Sequence, residues 1–345
     1  MDKLHEAMLY EKMDEKKVRC RLCARYCTIP ERSWGFCFTR KNVGGKLYTM
    51  TYGKSTGFSI DPIEKKPFFH FHPGSSSLSF GTPGCNFRCL NCQNYFLSQA
   101  AAKRMEDAFD IEETPPKQVA EMALETDGVS YTYSEPTIFF EYAYDCIKET
   151  KKLNPELYHV FVTNGYFSKE CFELIKKEKL LNAMRIDLKA FREEFYNKIC
   201  SASLAPVLEN IERVRKEKSW LHLEIICLII PGKNDSEKEL KEMSSWIASQ
   251  GKDIPVHFLR FFPHYKMANI LPTPDETLLK AKKIAEAEGL EYVYLGNTPL
   301  EGGEDTRCPK CKTLLVRREF MRVTENKVTA DGKCPGCGKK INLVV

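Results

Sequence analysis

From Leu78 to about Pro299 the chain alternates between two hydrophobic periods. Short runs rich in β-branched and aromatic residues predict strands at Leu78–Phe80, Val129–Ser134, His159–Thr163, Met184–Leu188, His222–Ile229, Val256–Phe262 and Tyr292–Leu295. Patterns of helical period lie between them. One begins within Glu113–Glu125, where proline suits a first turn, and another is Phe139–Lys152. A third begins at Asn234-Asp235-Ser236, any of which could cap it, and a fourth runs from Pro274 to Glu288 and is closed by Gly289. Strand–helix repetition of this kind implies a parallel sheet, either a barrel or a doubly wound fold.

The flanks read differently. Residues 1–77 open with a helix-like stretch, continue into a cysteine run and strand-like alternation, and end in the turn-rich His70-Phe-His-Pro-Gly-Ser-Ser-Ser77. Residues 301–345 are short and carry two Cys-x2-Cys pairs around a hairpin-like stretch. The expected organisation is an N-terminal cysteine-rich module (1–77), a central domain (78–300) and a C-terminal module (301–345).

Composition is that of an ordinary soluble protein: 345 residues, 43% hydrophobic and 29% charged, with a net charge of +5. That mild excess falls short of a dedicated nucleic-acid binder and would only weakly favour an anionic partner. No apolar run approaches the roughly 18 to 20 residues of a membrane span, and the charged N-terminus has no signal-peptide core, so a cytoplasmic location is expected. Fifteen cysteines are many for such a compartment. Disulfides are disfavoured there, and clustered cysteines imply metal. Eleven fall into three clusters; Cys146, Cys171, Cys200 and Cys227 stand alone and read as core packing.

The central cluster is Cys85-x3-Cys89-x2-Cys92, just after the first predicted strand, with Gly81, Pro83 and Gly84 supplying the turning chain. Three thiolates could hold a [4Fe–4S] cluster and leave one iron open to a ligand. The competing reading is a zinc loop awaiting a distant fourth ligand. Polar groups also gather where the other strands should end: Ser134-Glu135-Pro136, Thr163-Asn164-Gly165, Asp187-Leu188-Lys189 and Pro263-His264-Tyr265. Chemistry collects at such ends in (β/α) barrels.

The Cys-x3-Cys-x2-Cys loop resembles the signature of the radical S-adenosylmethionine (SAM) superfamily, with Asn91 standing where most members carry an aromatic residue. The resemblance implies a partial (β/α)6 barrel in which the open iron chelates SAM. Glu135-Pro136 matches the acid and proline of the Gly-Gly-Glu-Pro motif, with Tyr133 and Ser134 in place of the glycines, and would hold the SAM ammonium. Capping of the following helix is the alternative, compatible role for Glu135. Thr163 and Asn164, and Asp187 with Lys189, resemble motifs of pyruvate formate-lyase activating enzymes, in which the lysine contacts the SAM carboxylate. His264 or Tyr265 would match a further SAM contact; an Asp187 ion pair with Lys189 or Arg185 is the simpler reading there.

Longer stretches, Asp61–Cys89, Tyr131–Asp145 and Tyr294–Asn297 among them, resemble the radical SAM member of the AmmeMemoRadiSam system. That resemblance implies Memo-like and AMMECR-like partners and an electron donor such as ferredoxin or flavodoxin. Its chemistry is reductive cleavage of SAM to a 5′-deoxyadenosyl radical that abstracts hydrogen from a small-molecule, lipid or protein substrate. Activation of a glycyl-radical enzyme is one alternative. A non-catalytic zinc-ribbon protein that binds nucleic acid is another.

Two four-cysteine sets flank this centre. Cys20, Cys23, Cys27 and Cys37 could bind structural zinc or a second Fe–S cluster, and similar runs begin the AmmeMemoRadiSam family. Cys308, Cys311, Cys334 and Cys337 form a zinc-ribbon pattern with no open position. Arg317, Arg318 and Arg322 beside it have no aromatic platform and are expected to form a solvated charged face.

Overall fold

The computed structural model describes residues 4–99 and 111–345. The chain divides into two units, one of Met1–Ile60 with Ser77–Asn182 and one of Asp61–Ser76 with Ala183–Val345.

The first unit opens not with a helix but with short antiparallel strands: β1 (His5–Glu6), β2 (Tyr10–Lys12), β3 (Val18–Cys20), β4 (Thr28–Ile29), β5 (Arg40–Val43) and β6 (Lys46–Thr49). They form two sheets in the orders β1-β6-β5 and β2-β3-β4. Spacing suggested an amphipathic helix, yet Leu4 and Met8 remain more than 40% exposed while Ala7 is buried. Cross-strand pairing with β6 and β3, invisible to local periodicity, decides the conformation.

Next come β7 (Thr56–Pro62), β8 (Ser76–Gly81), β9 (Gly128–Tyr131) and β10 (Tyr158–Thr163), side by side in the order β10-β9-β8-β7. β8, β9 and β10 are parallel. Every residue of β10 is buried, as befits a parallel strand covered on both faces. Helices Pro116–Ala123, Phe140–Leu153 and Lys169–Glu178 follow the strand pattern. β9 stops three residues before the predicted end because Tyr133 takes a left-handed φ of 64°, which no strand continues.

The second unit holds β11 (Ala183–Asp187), β12 (His222–Ile229), β13 (Val256–Arg260) and β14 (Val293–Gly296), in the order β14-β13-β12-β11 and all parallel. Helices Ala205–Lys216, Glu237–Gln250 and Asp275–Ala287 alternate with them. Of the three candidate caps, Ser236 is used: its hydroxyl accepts from Glu239 N at 3.3 Å.

The C-terminal strands β15 (Thr306–Arg307), β16 (Leu314–Glu319) and β17 (Arg322–Asn326) form an antiparallel sheet packed into this unit. Leu315, Val316, Ile341, Cys308 and Cys334 share a core with Phe69, Tyr292 and Tyr294. This corrects the expected arginine face. Arg317 and Arg322 are exposed, but Arg318 is buried. It donates to Phe69 O (2.5 Å), Glu304 O (3.0 Å) and Thr306 Oγ1 (2.8 Å), stacks on the Phe69 ring and pairs with buried Glu64. A buried guanidinium needs such partners, which alternation in a strand cannot reveal.

Among the described residues no helix is long and apolar enough to cross a membrane.

Candidate active site

β8 delivers the chain into the Cys85 loop. Gly81 is required there: a Cβ would lie 2.5 Å from Thr132 O. Gly84, at φ +100°, would place a Cβ 2.3 Å from the Thr39 methyl. These close approaches fold the loop over the ends of β8 and β9. Cys85 and Cys89 are buried and Cys92 is half-buried. Cys85 Sγ accepts from Phe87 N at 3.3 Å and Asn164 Nδ2 at 3.4 Å, and Cys92 Sγ lies 3.1 Å from Ser98 Oγ. Burial pushes the Cys85 thiol far up, and the neighbouring Glu135, Cys89 and Cys92 charges push it further. Arg88 ties the loop together by donating to Cys85 O and Phe87 O at 2.9 and 3.0 Å and to Phe36 O.

Glu135 stands just past β9, fully buried. Its Oε1 accepts from Thr137 N (3.1 Å), Thr137 Oγ1 (2.6 Å) and Thr163 Oγ1 (2.7 Å), and its Oε2 from Asn164 N (2.7 Å). The carboxylate thus caps the turn Pro136–Phe139 and also clamps the end of β10. Burial raises its pKa; the four hydrogen bonds oppose the rise without cancelling it. Asn164 in turn reaches Cys85 Sγ and Asn86 Oδ1 (3.2 Å). Glu135, Thr163, Asn164 and Cys85 therefore form one connected network.

In the second unit Asp187 ends β11 and accepts from Arg185 Nη2 at 2.6 Å and Lys189 Nζ at 2.9 Å. Burial raises the Asp187 pKa, but the two cations outweigh it and hold the carboxyl below its usual range. Both ion pairs weighed from the sequence are present. His264 is half-buried and precedes the short turn Tyr265–Met267.

The flanking cysteines differ in geometry. Cys308, Cys311, Cys334 and Cys337 bring their sulfurs within 4.8 Å of one another, with 3.6 Å between Cys308 and Cys337 and 3.5 Å between Cys311 and Cys334. A tetrahedral ion at about 2.3 Å from each sulfur sets them about 3.8 Å apart. The spacing of this group could hold one metal ion. Cys20, Cys23, Cys27 and Cys37 are mutual neighbours in the first unit, but among the described residues they form no such tight group. The solitary Cys146, Cys171, Cys200 and Cys227 are all buried.

Two buried networks had no sequence signal. Arg40 and Glu141 pair directly, each 1% exposed, and Glu141 Oε1 also accepts from Met8 N at 2.8 Å. In the second unit Glu224 accepts from His257 Nε2, His222 Nε2, Phe69 N and His70 N. His70 Nδ1 donates to Asn342 O, so its Nε2 accepts from Tyr294 OH, both at 2.5 Å. Partners 101 and 155 residues apart leave no local pattern to read.

A family model for the radical SAM superfamily matches residues 80–243. The uncharacterized protein MJ0808 of Methanocaldococcus jannaschii is 41% identical over 99% of this chain and 100% of its own length. Among solved structures, a domain of a pyruvate-formate lyase-activating enzyme from Bacteroides vulgatus is 20% identical, covering 49% of this chain and 99% of its own, with a TM-score of 0.42. A radical SAM methyltransferase from Sphaerobacter thermophilus is 14% identical, covering 65% and 67%, with a TM-score of 0.47. The matched segment begins on the strand that feeds the three-cysteine loop and takes in Glu135, Thr163 and Asn164: this chain carries a radical SAM domain and is an enzyme.

Proposed function

We propose that Cys85, Cys89 and Cys92 hold a [4Fe–4S] cluster at which SAM binds, and that the enzyme abstracts hydrogen from a small-molecule, lipid or protein substrate. A radical SAM domain implies SAM and an iron–sulfur cluster. The residues fit that group. Burial disfavours the free thiolate of Cys85, and the charges of Cys89 and Cys92 disfavour it further, so a cationic partner is needed to ionise it. Asn86 Nδ2 is buried beside them without a hydrogen-bond partner. Bound there, the cluster and SAM would supply one-electron reductive cleavage chemistry.

The chain's own residues position and shield. The observation that carries the reading is the Glu135–Thr163–Asn164–Cys85 network, which fixes a buried carboxylate beside the cysteine loop. Oε2 of Glu135 takes one donor and keeps acceptor capacity for the SAM ammonium. On the resemblance, Lys189 is proposed to contact the SAM carboxylate. His264 is proposed as a further contact. The metal proposed for Cys308, Cys311, Cys334 and Cys337 is zinc, in a structural role.

The test is anaerobic reconstitution followed by measurement of 5′-deoxyadenosine. Wild type should form it with a low-potential reductant, and Cys89→Ala should not. Formation at the wild-type rate by Cys89→Ala would refute the assignment. Memo-like and AMMECR-like partners are proposed on the resemblance, to be sought by co-purification.

A further inference from the structure

All four N-terminal cysteines line one pocket, together with Arg25, Arg40, Ile29, Asn86 and Ile138. Three observations say what it takes. First, the sulfurs are neighbours yet are not drawn into the tight group that one tetrahedral ion demands, as the C-terminal four are. Four thiolates held wider around a common pocket suit a cubane whose four irons each take one. Second, Arg40 is 1% exposed, and its Nε and Nη1 are buried without hydrogen-bond partners while its Nη2 serves Glu141. The guanidinium lies in the field of Cys20 and Cys37, so these two nitrogens are donors awaiting acceptors beside the thiols, and cluster sulfides are such acceptors. Third, Thr39 Oγ1 lies 3.1 Å from Cys37 Sγ, a hydroxyl contact of the kind that tunes cluster thiolates.

We propose that Cys20, Cys23, Cys27 and Cys37 bind a second [4Fe–4S] cluster, fully ligated by cysteine, that passes electrons to the cluster at Cys85. The site stands on its own geometry; the relay rests on the function proposed above. The two cysteine sets are joined by short paths. Asn86 lines the pocket and follows Cys85 in the chain. Arg25 Nε donates to Asn86 O at 2.6 Å. The Arg88 guanidinium lies in the field of Cys85, Cys37 and Cys89 and packs on Phe36 and Phe38. The step moves one electron and no atoms. A reduced flavodoxin or ferredoxin reduces the second cluster from the 2+ to the 1+ state. That cluster returns to 2+ as the one at Cys85 becomes 1+.

The test uses the full chain, reconstituted without oxygen. Wild type should hold about eight irons and eight sulfides per chain. The triple variant C85A/C89A/C92A should keep half of both and show a [4Fe–4S]⁺ paramagnetic signal after dithionite. If the triple variant does not fold, Cys27→Ser in the otherwise intact chain should lose half the iron. Its 5′-deoxyadenosine formation with reduced flavodoxin should fall relative to that with dithionite. A triple variant without iron, or a wild type with four irons and zinc at the N-terminal cysteines, would overturn the inference and leave the proposed function standing. Four irons in both wild type and triple variant would support the second site and sink the Cys85 assignment instead. An unchanged flavodoxin-to-dithionite ratio in Cys27→Ser would overturn the relay.

Discussion

Replacing Glu224 by Gln changes one buried atom from acceptor to donor, and the structure says what that does. In the wild type Oε1 accepts from His70 N (2.8 Å) and His222 Nε2 (3.1 Å), and Oε2 from Phe69 N (3.1 Å) and His257 Nε2 (2.7 Å). Burial alone would raise the Glu224 pKa, but the His222 and His257 hydrogen bonds outweigh it and hold the carboxyl far below its usual range. Burial keeps His257 neutral by lowering its pKa, so its Nε2–H donates to a carboxylate. In Glu224→Gln the amide NH₂ must face one pair of donors. A histidine can change tautomer to accept, but the main-chain N–H of Phe69 or His70 cannot turn. One buried N–H is orphaned at about 1–3 kcal/mol, and the two surviving bonds each lose about 1 kcal/mol of charge assistance. The sum is roughly 3–5 kcal/mol, a fall in Tm on the order of 10 °C for a unit of this size. The sign with pH follows from the depressed pKa. The wild-type advantage is complete above the ordinary glutamate pKa, about 4.3, and is lost as pH falls through the folded value. Thermal unfolding by circular dichroism at neutral and acid pH measures both. A Tm loss under about 2 °C at neutral pH, or a deficit that widens on acidification, would refute the reasoning.

Glu135→Gln should weaken SAM binding by about 1.5–3 kcal/mol, roughly tenfold to a hundredfold, as a charge-assisted contact becomes neutral. Because burial raises the Glu135 pKa, wild-type affinity should begin to fall on acidification at a higher pH than an ordinary glutamate would give; equilibrium binding from pH 5 to 8 checks both. Glu141→Gln strips the buried Arg40 guanidinium of its counter-charge and should cost about 3–5 kcal/mol, read by denaturant unfolding. Cys334→Ala should release the C-terminal metal, read by a colorimetric chelator, and destabilise the second unit by roughly 3 kcal/mol or more, since Cys334 belongs to the core shared with Phe69 and Tyr294.

Much of the parallel framework was legible. His222–Ile229 was read with its limits intact, because a fully buried strand is an unbroken apolar run. Predicted strands ran past β9, β11 and β13 where the chain keeps its apolar character but turns away, as at Tyr133. Helices Lys169–Glu178 and Ala205–Lys216 were missed, their lysine- and glutamate-rich faces hiding a few buried anchors such as Phe172 and Ile211. The cysteine sets were plain from spacing. What spacing withheld was sulfur geometry, which separates the C-terminal group from the N-terminal one. Arg318 and Glu224 were beyond reach for one reason: a buried charge is explained only by partners that the fold brings from far along the chain.

The segment Asp61–Ser76 belongs to the second unit, although the chain on both sides of it lies in the first. Its main-chain groups serve Glu224, and Phe71 bridges to Val344. During translation this piece emerges early and then waits more than 250 residues for its last partner. Loop closure over such a span is slow, so the second unit reaches its final state late in synthesis. A fragment that starts at Ala183 would lack the piece altogether. Supplying residues 61–76 in trans, or moving the termini by circular permutation, is the way to make that half of the enzyme on its own.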